Sequence, residues 1–361
     1  MAASKLNNKL VDCLANWLYA KYLDERCAIR FNQNKPNPFN ITIFCISGKE
    51  PLDVMTNVFS MCMKGYIAEG MMRIDHRREN TLNHHLSIFP FYRAGMGEVY
   101  VTIGDPSKPE YQGTLAHCRA MNKARIIQFM GMTPYGGIPE LLDVFSRVQT
   151  LNIDARLVAP NCKYAFPILE NLTTYGPVSA IERFFETVAH FPSLELMVLD
   201  LTGNVEGFLA NFVHNRFTEL THLSVNVSHY GDDTFENVAA VVQFCNLFRN
   251  IQNVMFTIVQ TRVTFASDAA FYQKLRDTFL ETPCKANLKL SLQHTLNTSP
   301  SNTGEVLTCE VVAGVLGPLR YAVNRDESGF VNDFIGSHVE LEHSVLIEIP
   351  PKPKQRRQLL R

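Results

Sequence analysis

Leu196-Met-Val-Leu199-Asp-Leu201, Leu220-Thr-His-Leu223-Ser-Val225 and Ile251-Gln-Asn-Val254-Met-Phe256 decide the reading of the fold. Each spells a short strand in which apolar and polar residues alternate, the L-x-x-L-x-L-like unit of leucine-rich repeats. Outward from these three, the pattern can be anchored at Phe129, Leu151, Leu172, Leu199, Leu223, Val254 and Leu288, at intervals of 22, 21, 27, 24, 31 and 34 residues. The shorter intervals fall in the range of leucine-rich repeats, and the longer ones leave room for extended helices or loops.

Amphipathic helices are predicted in the gaps. Pro177 to Phe191 has Pro177 near its start and Ile181, Phe184, Phe185 and Val188 on one face. Asp233 to Phe248 opens on acidic residues and carries Val238, Val241, Val242, Cys245 and Phe248 as its stripe. Ser267 to Leu280 offers a serine N-cap with Phe271, Leu275 and Phe279 inward. A doubly wound parallel sheet also alternates strand and helix, but its strands, covered on both faces, read as continuous apolar runs. Here Asn152 and Asp154 flank Ile153, Ser224 and Asn226 flank Val225, and Lys289 and Ser291 flank Leu290. One sheet face is therefore expected to meet water. The expected fold class is an α/β, irregular leucine-rich-repeat-like solenoid with helices on one side only.

Around this array, spanning residues 111–295, the expected organisation has three further parts. Residues 1–110 read as a mixed α/β region, with helices at Leu10–Tyr22 and Pro51–Met63 and strands at Ile41–Ile46 and Glu98–Ile103. Residues 296–349 read as a small antiparallel cap, with a Ser/Asn/Thr-rich linker at Asn297–Gly304 and strands at Val306–Val312, Leu319–Asn324 and Val339–Ile349. Residues 350–361 form a basic tail with five Lys and Arg and no acidic residue, for which a localisation or phosphate-binding role stands beside that of a solubilising segment.

Composition narrows the function classes. Over 361 residues, 46% hydrophobic and 19% charged residues exclude wholesale disorder, and a net charge of −1 provides no global field toward nucleic acid or an anionic membrane. No apolar run reaches the roughly 18 residues of a membrane-spanning helix, and the polar start Met1–Lys9 does not read as a signal peptide. The expected location is cytoplasmic, nuclear or both. The nine cysteines are scattered singly with no CxxC or zinc spacing, and read as small core hydrophobes.

Catalytic signatures are absent: there is no P-loop, no G-x-S-x-G elbow, no H-E-x-x-H, and Gly95-x-Gly97 lacks the third glycine of a dinucleotide loop. No cofactor, metal or catalytic residue is therefore assigned. His338, Glu340 and Glu342 alternate and share one strand face, a set able to bind a divalent metal; the plainer reading is a solvated face opposite Val339 and Leu341. His84 and His85, placed on a helix, point about 100° apart and share no site. Asp75-His76-Arg77-Arg78 reads as an exposed run.

The candidate site is the open strand face. Residues flanking the anchors select Asn152, Asp154, Thr173, Tyr175, Asp200, Thr202, Ser224, Asn226, Met255, Thr257, Lys289 and Ser291 as a polar ladder. Tyr175, His222 and Met255 are its expected anchors for a protein partner, being large, semi-polar or adaptable.

Three stretches resemble a known family. Thr202 to Leu223 is similar to the short helix leading into a "leucine, two residues, leucine" strand in the type 2 F-box-associated domain of nematode F-box proteins. Asn83-His-His-Leu-Ser-Ile-Phe89 resembles the helix opening that domain, and Arg320-Tyr-Ala-Val-Asn-Arg-Asp-Glu-Ser-Gly329 its closing polar hairpin. The resemblance, over about residues 70–350, implies a substrate receptor of a cullin-type ubiquitin ligase. In that family an F-box docks on a Skp1-type adaptor while the associated domain holds the target. Residues 1–35 contain no proline and so lack the usual Leu-Pro opening; Leu10, Leu14, Leu18 and Leu23 are the expected remnant, with adaptor contact through residues 1–39. The sequence thus points to a protein-protein interaction module, not an enzyme. The rivals are an enzyme on a diverged α/β fold and a nucleic-acid binder using the basic tail with Arg77 and Arg78.

Overall fold

A computed structural model describes residues 51, 53–54, 63–76, 81–84, 97–102, 105, 107–120, 124–130, 147–158, 165–187, 191–212, 216–230, 237–263, 268–296, 308–324 and 329–347. The expected elements at Leu10–Tyr22, Ile41–Ile46 and Asn297–Gly304, the tail Pro350–Arg361, and the Arg77-Arg78 pair lie outside them. Within them the chain is a mixed α/β protein whose sheet is open, not closed into a barrel. Contacts divide it into two units, Met1–Leu172 with Glu186–Ser193, and Thr173–Phe185 with Leu194–Arg361.

In the first unit the strands run in the order β3 (Thr81–His84), β2 (Met71–His76), β1 (Met63–Ala68), β4 (Glu98–Thr102), β5 (Ile126–Met130), β6 (Thr150–Asp154). Two expectations change here. Met63 begins a strand instead of ending a helix, and Asn83-His84 pair with Arg73 and Met72 on β3 instead of opening a helix. β1 and β2 form an antiparallel hairpin through Glu69 and Gly70, both at positive φ (50° and 71°), as a two-residue type I′ turn requires. Helix α1 (Pro109–Ala120) docks on that turn: the Gly70 N–H donates to Thr114 Oγ1 at 3.2 Å, and the His117 Nε2 lies 3.1 Å from the Gly70 carbonyl.

In the second unit the order is β7 (Asn171–Pro177, from Thr173 on), β8 (Leu196–Thr202), β9 (His222–Tyr230), β10 (Asn253–Val263), β11 (Asn287–Leu296), β14 (Val339–Ile347), β13 (Gly329–Ile335), β12 (Ala322–Asn324). Strands β8, β9, β10, β11 and β14 pair parallel in that order, and β12–β13 and β13–β14 pair antiparallel. The predicted cap is therefore no separate sheet: β14 continues the parallel array beside β11.

Helices fill the crossovers: α2 (Val178–Thr187), α3 (Glu206–Asn211), α4 (Val238–Asn246) and α5 (Ala269–Glu281). The Asn237 side chain caps α4 through the Ala240 N–H, and Asp268, not the expected Ser267, caps α5 through Ala270. On α5 Tyr272, Leu275 and Phe279 are buried while Phe271 is half-buried, a correction to the predicted inward set. Of Val306–Val312, expected as a strand, the described residues from Cys309 on form the first turn of helix α6 (Cys309–Leu316). The β-branched run favours a strand locally, but the Thr308 side chain caps the Val311 N–H, and Val312 and Leu316, one helical turn apart, bury against Tyr272, Leu296, Phe330 and Val345. Cys118 and Cys245 sit in the core as expected; Cys284 is half-buried, and Cys309, on the first turn of α6, is exposed.

The core lies on one sheet face. Met197, Leu223, Val254, Leu288 and Val339 form one in-register row, and Leu199, Val225, Phe256, Leu290 and Leu341 the next, every one of them buried. This corrects the reading frame: Met197, not Leu199, aligns with Leu223, and Ile127, not Phe129, aligns with Leu151. A slip of two residues keeps each side chain on its face, so the inside-outside assignment stands. Above the rows Phe185, Phe212, Phe217, Phe244 and Phe248 pack ring against ring at 5.1–6.2 Å between centroids. No helix among the described residues is long and apolar enough to cross a membrane.

Candidate functional site

Each strand of the parallel array turns alternate residues inward and the others outward, so parallel register stacks the outward sets into rows. The first runs Leu196, His222, Asn253, Asn287. The second runs Val198, Ser224, Met255, Lys289, Glu340, Ile335, and the third Asp200, Asn226, Thr257, Ser291, Glu342, Asp333. Thr202 opens a fourth with Ser228. The structure therefore brings Asp200, Thr202, His222, Ser224, Asn226, Met255, Thr257, Lys289 and Ser291 onto one face. On β7 Thr173 and Tyr175 are half-buried and alternate with buried Leu172 and Thr174. Asn152 belongs to the first unit, where it continues a row through Tyr66, Tyr100 and Gln128.

Asp154 departs from its expected place. It is 1% exposed, its carboxylate taking the Arg156 Nε at 3.0 Å and Nη2 at 2.6 Å while also capping the short 3-10 helix Ala155–Leu157 through the Arg156 N–H. A carboxylate committed to a guanidinium and a backbone N–H offers a partner nothing; the half-exposed Arg156 covers it.

Side chains along the first row form a directed chain. The Thr221 hydroxyl donates to the Glu195 carbonyl at 3.2 Å, so it accepts from His222 Nδ1 at 2.8 Å. That places the proton on Nδ1 and leaves Nε2 to accept from the Asn253 amide at 3.1 Å, whose oxygen accepts from Asn287 at 3.3 Å. In the third row the Asn226 amide donates to Asp200 at 2.6 Å. In the second and third, the Lys289 ammonium bridges Glu340 at 2.8 Å and Glu342 at 3.5 Å, and its hydrogen bond to Glu340 holds it more firmly protonated than a free lysine.

A groove of about 650 Å³ opens at the start of these strands, lined by Leu196, His222, Met255, Lys289, Ile335 and Glu340 among others. Leu196, Met255 and Ile335 are 36%, 52% and 79% exposed, which leaves an apolar floor and lip within a polar face. Sequence reasoning missed Val198, Glu340, Glu342, Asp333 and Ile335 as members of this face. Their alternation was visible, but their adjacency depends on β14 pairing with β11. It also missed the stacked pair Tyr66–Tyr100 in the first unit, whose centroids are 4.7 Å apart beside the Lys64–Glu98 ion pair at 2.9 Å.

The triad once weighed for a metal, His338, Glu340 and Glu342, has both carboxylates engaged by Lys289. Among the described residues no group of three or more His, Cys, Asp or Glu is placed to hold a metal ion.

A second convergence of titratable groups lies on the helix-covered face. The Tyr321 hydroxyl is 2.5 Å from His343 Nδ1, and His343 Nε2 is 3.2 Å from His294 Nδ1. Burial raises the Tyr321 phenol well above its usual value, so it donates. Burial lowers His294 to about 4 and, with His294 beside it, His343 well below the ordinary value, so both imidazoles are neutral. Both histidines are essentially inaccessible to solvent, which suits a structural network better than a reacting one.

No protein-family model matches the chain, and neither does any curated protein.

Proposed function

We propose that the protein is a protein-binding module whose outward sheet face receives another protein. The observation that carries this is the in-register outer rows, polar along their length and interrupted by the apolar groove at Met255 and Ile335. Semi-exposed, adaptable side chains surrounded by polar groups are the usual composition of a docking surface.

The finer reading is an irregular leucine-rich-repeat-like solenoid. It is supported by a backbone feature that recurs before strand after strand. In both units the carbonyl one residue ahead of a strand accepts the last N–H before the next strand and that strand's first N–H: Gly97 from Arg125 and Ile126, Arg125 from Gln149 and Thr150, Gln149 from Glu170 and Asn171, Glu195 from Thr221 and His222, Thr221 from Gln252 and Asn253. A repeated backbone device is what a repeat architecture requires. With the family resemblance, this supports reading the chain as the target-holding part of an F-box-type ubiquitin-ligase receptor.

Two experiments test the proposal. Tyr175→Ala, Asp200→Ala and Ser224→Ala combined should abolish partner capture with an unchanged circular dichroism spectrum; undiminished capture by the folded variant refutes the face. Full-length protein should bind a Skp1-type adaptor and lose it when truncated to start near Asn40. Absence of adaptor binding removes the ligase role and leaves the docking face.

A further inference from the structure

The outer face of the second unit carries a charge imbalance that the fold itself does not relieve. Asp200, Asp333, Glu340 and Glu342 lie in its second and third rows against a single cation, Lys289. Lys289 engages Glu340 and Glu342 together. Asp333 stands directly opposite Glu342 on adjacent antiparallel strands. Like charges so placed destabilise a sheet. Asp200 accepts a neutral amide from Asn226, and among the described residues no cation pairs with Asp200 or Asp333.

The geometry specifies the complement. Asp200 on β8 and Glu342 on β14 are separated by β9, β10 and β11. At about 4.8 Å per strand the carboxylates stand roughly 19 Å apart. An extended chain at about 3.3 Å per residue covers that distance in roughly six residues. On β10, between the two acidic ends, lies Met255, in the row next to that of Asp200 and Glu342 and on the rim of the groove. A polyphosphate chain would meet four carboxylates, so nucleic acid is disfavoured by the same charges.

We propose that this face docks an extended segment of a partner protein with two basic residues about six positions apart, one on Asp200 and one on the Asp333–Glu342 pair, and with apolar side chains on the same side of the segment between them, against Met255. This rests on the reading of the face as a protein-docking surface and names the chemistry of its partner.

The test uses the full chain and a fluorescein-labelled peptide SRSLSLSRS, whose arginines and leucines share one side of the extended chain, against SESLSLSES and a version with its two arginines adjacent. The first should bind with an affinity at least tenfold above either control and lose at least tenfold between low and high salt. Asp333→Asn with Glu342→Gln should lower affinity at least tenfold while raising the melting temperature, because the same carboxylates repel one another in the free protein. Met255→Ser should weaken binding and leave its salt dependence unchanged.

Equal binding of the acidic peptide, or an unaffected Asp333→Asn/Glu342→Gln variant, overturns the proposal, as does competition by a 20-nucleotide single strand. So does binding that appears only when the chain is ended at residue 349, since the occupant is then this chain's own tail. If the basic peptide fails while Tyr175→Ala/Asp200→Ala/Ser224→Ala still abolishes partner capture, only the chemistry named here is wrong. If both fail, the docking face is wrong.

Discussion

Gly70 closes the β1–β2 hairpin at a φ of 71°, and a Cβ built there would come within 3.3 Å of the Glu110 backbone. Gly70→Ala therefore meets both backbone strain and a neighbour that cannot retreat. It should lower stability by about 1–3 kcal/mol, read as a shift in urea midpoint with unchanged slope. His294 and His343 act through protonation. Each is neutral in the folded state and free to take a proton in the unfolded state below the ordinary value of 6.5. The unfolded chain thus binds more protons as pH falls, and stability is full above about 6.5 and lost progressively toward about 4. For His294 alone the loss is on the order of 3 kcal/mol. The other titratable or charged groups at this network are Tyr272, Tyr321 and Arg276, and burial moves the Tyr321 phenol up and away from that window. Urea denaturation from pH 7.5 to 4.5 should show the decline, and His294→Leu with His343→Leu should flatten it; an equal decline in that variant assigns the effect to other groups.

At the scale of the element, the inside-outside assignment of β8 can be tested directly. Met197 is buried in the row of Leu223 and Val254, whereas Val198 faces outward beside Ser224. Met197→Ala should cost about 2–5 kcal/mol, and Val198→Ala less than about 1 kcal/mol; reversed values would overturn the inside-outside assignment of β8. The strand itself was legible because alternation is a local, period-two signal. Its partner residues were not, because intervals between repeats vary and no local feature marks a two-residue slip. Helix α6 was lost for a related reason: Val311, Val312 and Val315 favour a strand, and only the pocket formed by Tyr272, Leu296 and Phe330 makes burial of Val312 and Leu316 worth more.

For the whole molecule, the two units are not cut by one point in the chain. Phe191 belongs to the first unit and stacks on Phe166 at 5.5 Å, both at most 1% exposed, although it follows α2 of the second. A fragment ending at residue 193 should retain a cooperative thermal transition that a fragment ending at 172 lacks, because the latter leaves Phe166 beside a void; equal cooperativity in both denies Phe191 that role. By itself the sequence determined the local facts: α/β composition, which residues of each strand turn inward, where helices α2, α4 and α5 lie, and hence that Asp200, Ser224, Asn226, Met255, Lys289 and Ser291 share a face. Periodicity and capping act over a few residues and are written in neighbours. Only the tertiary structure decided that Met197 is the true partner of Leu223, that Asp154 is withdrawn by Arg156, and that Glu340, Glu342 and Asp333 extend the face. Register and strand order are settled by which buried rows pack best across the sheet, a comparison between residues far apart in the chain, and it was β14 closing against β11 that set the acidic edge beside the groove.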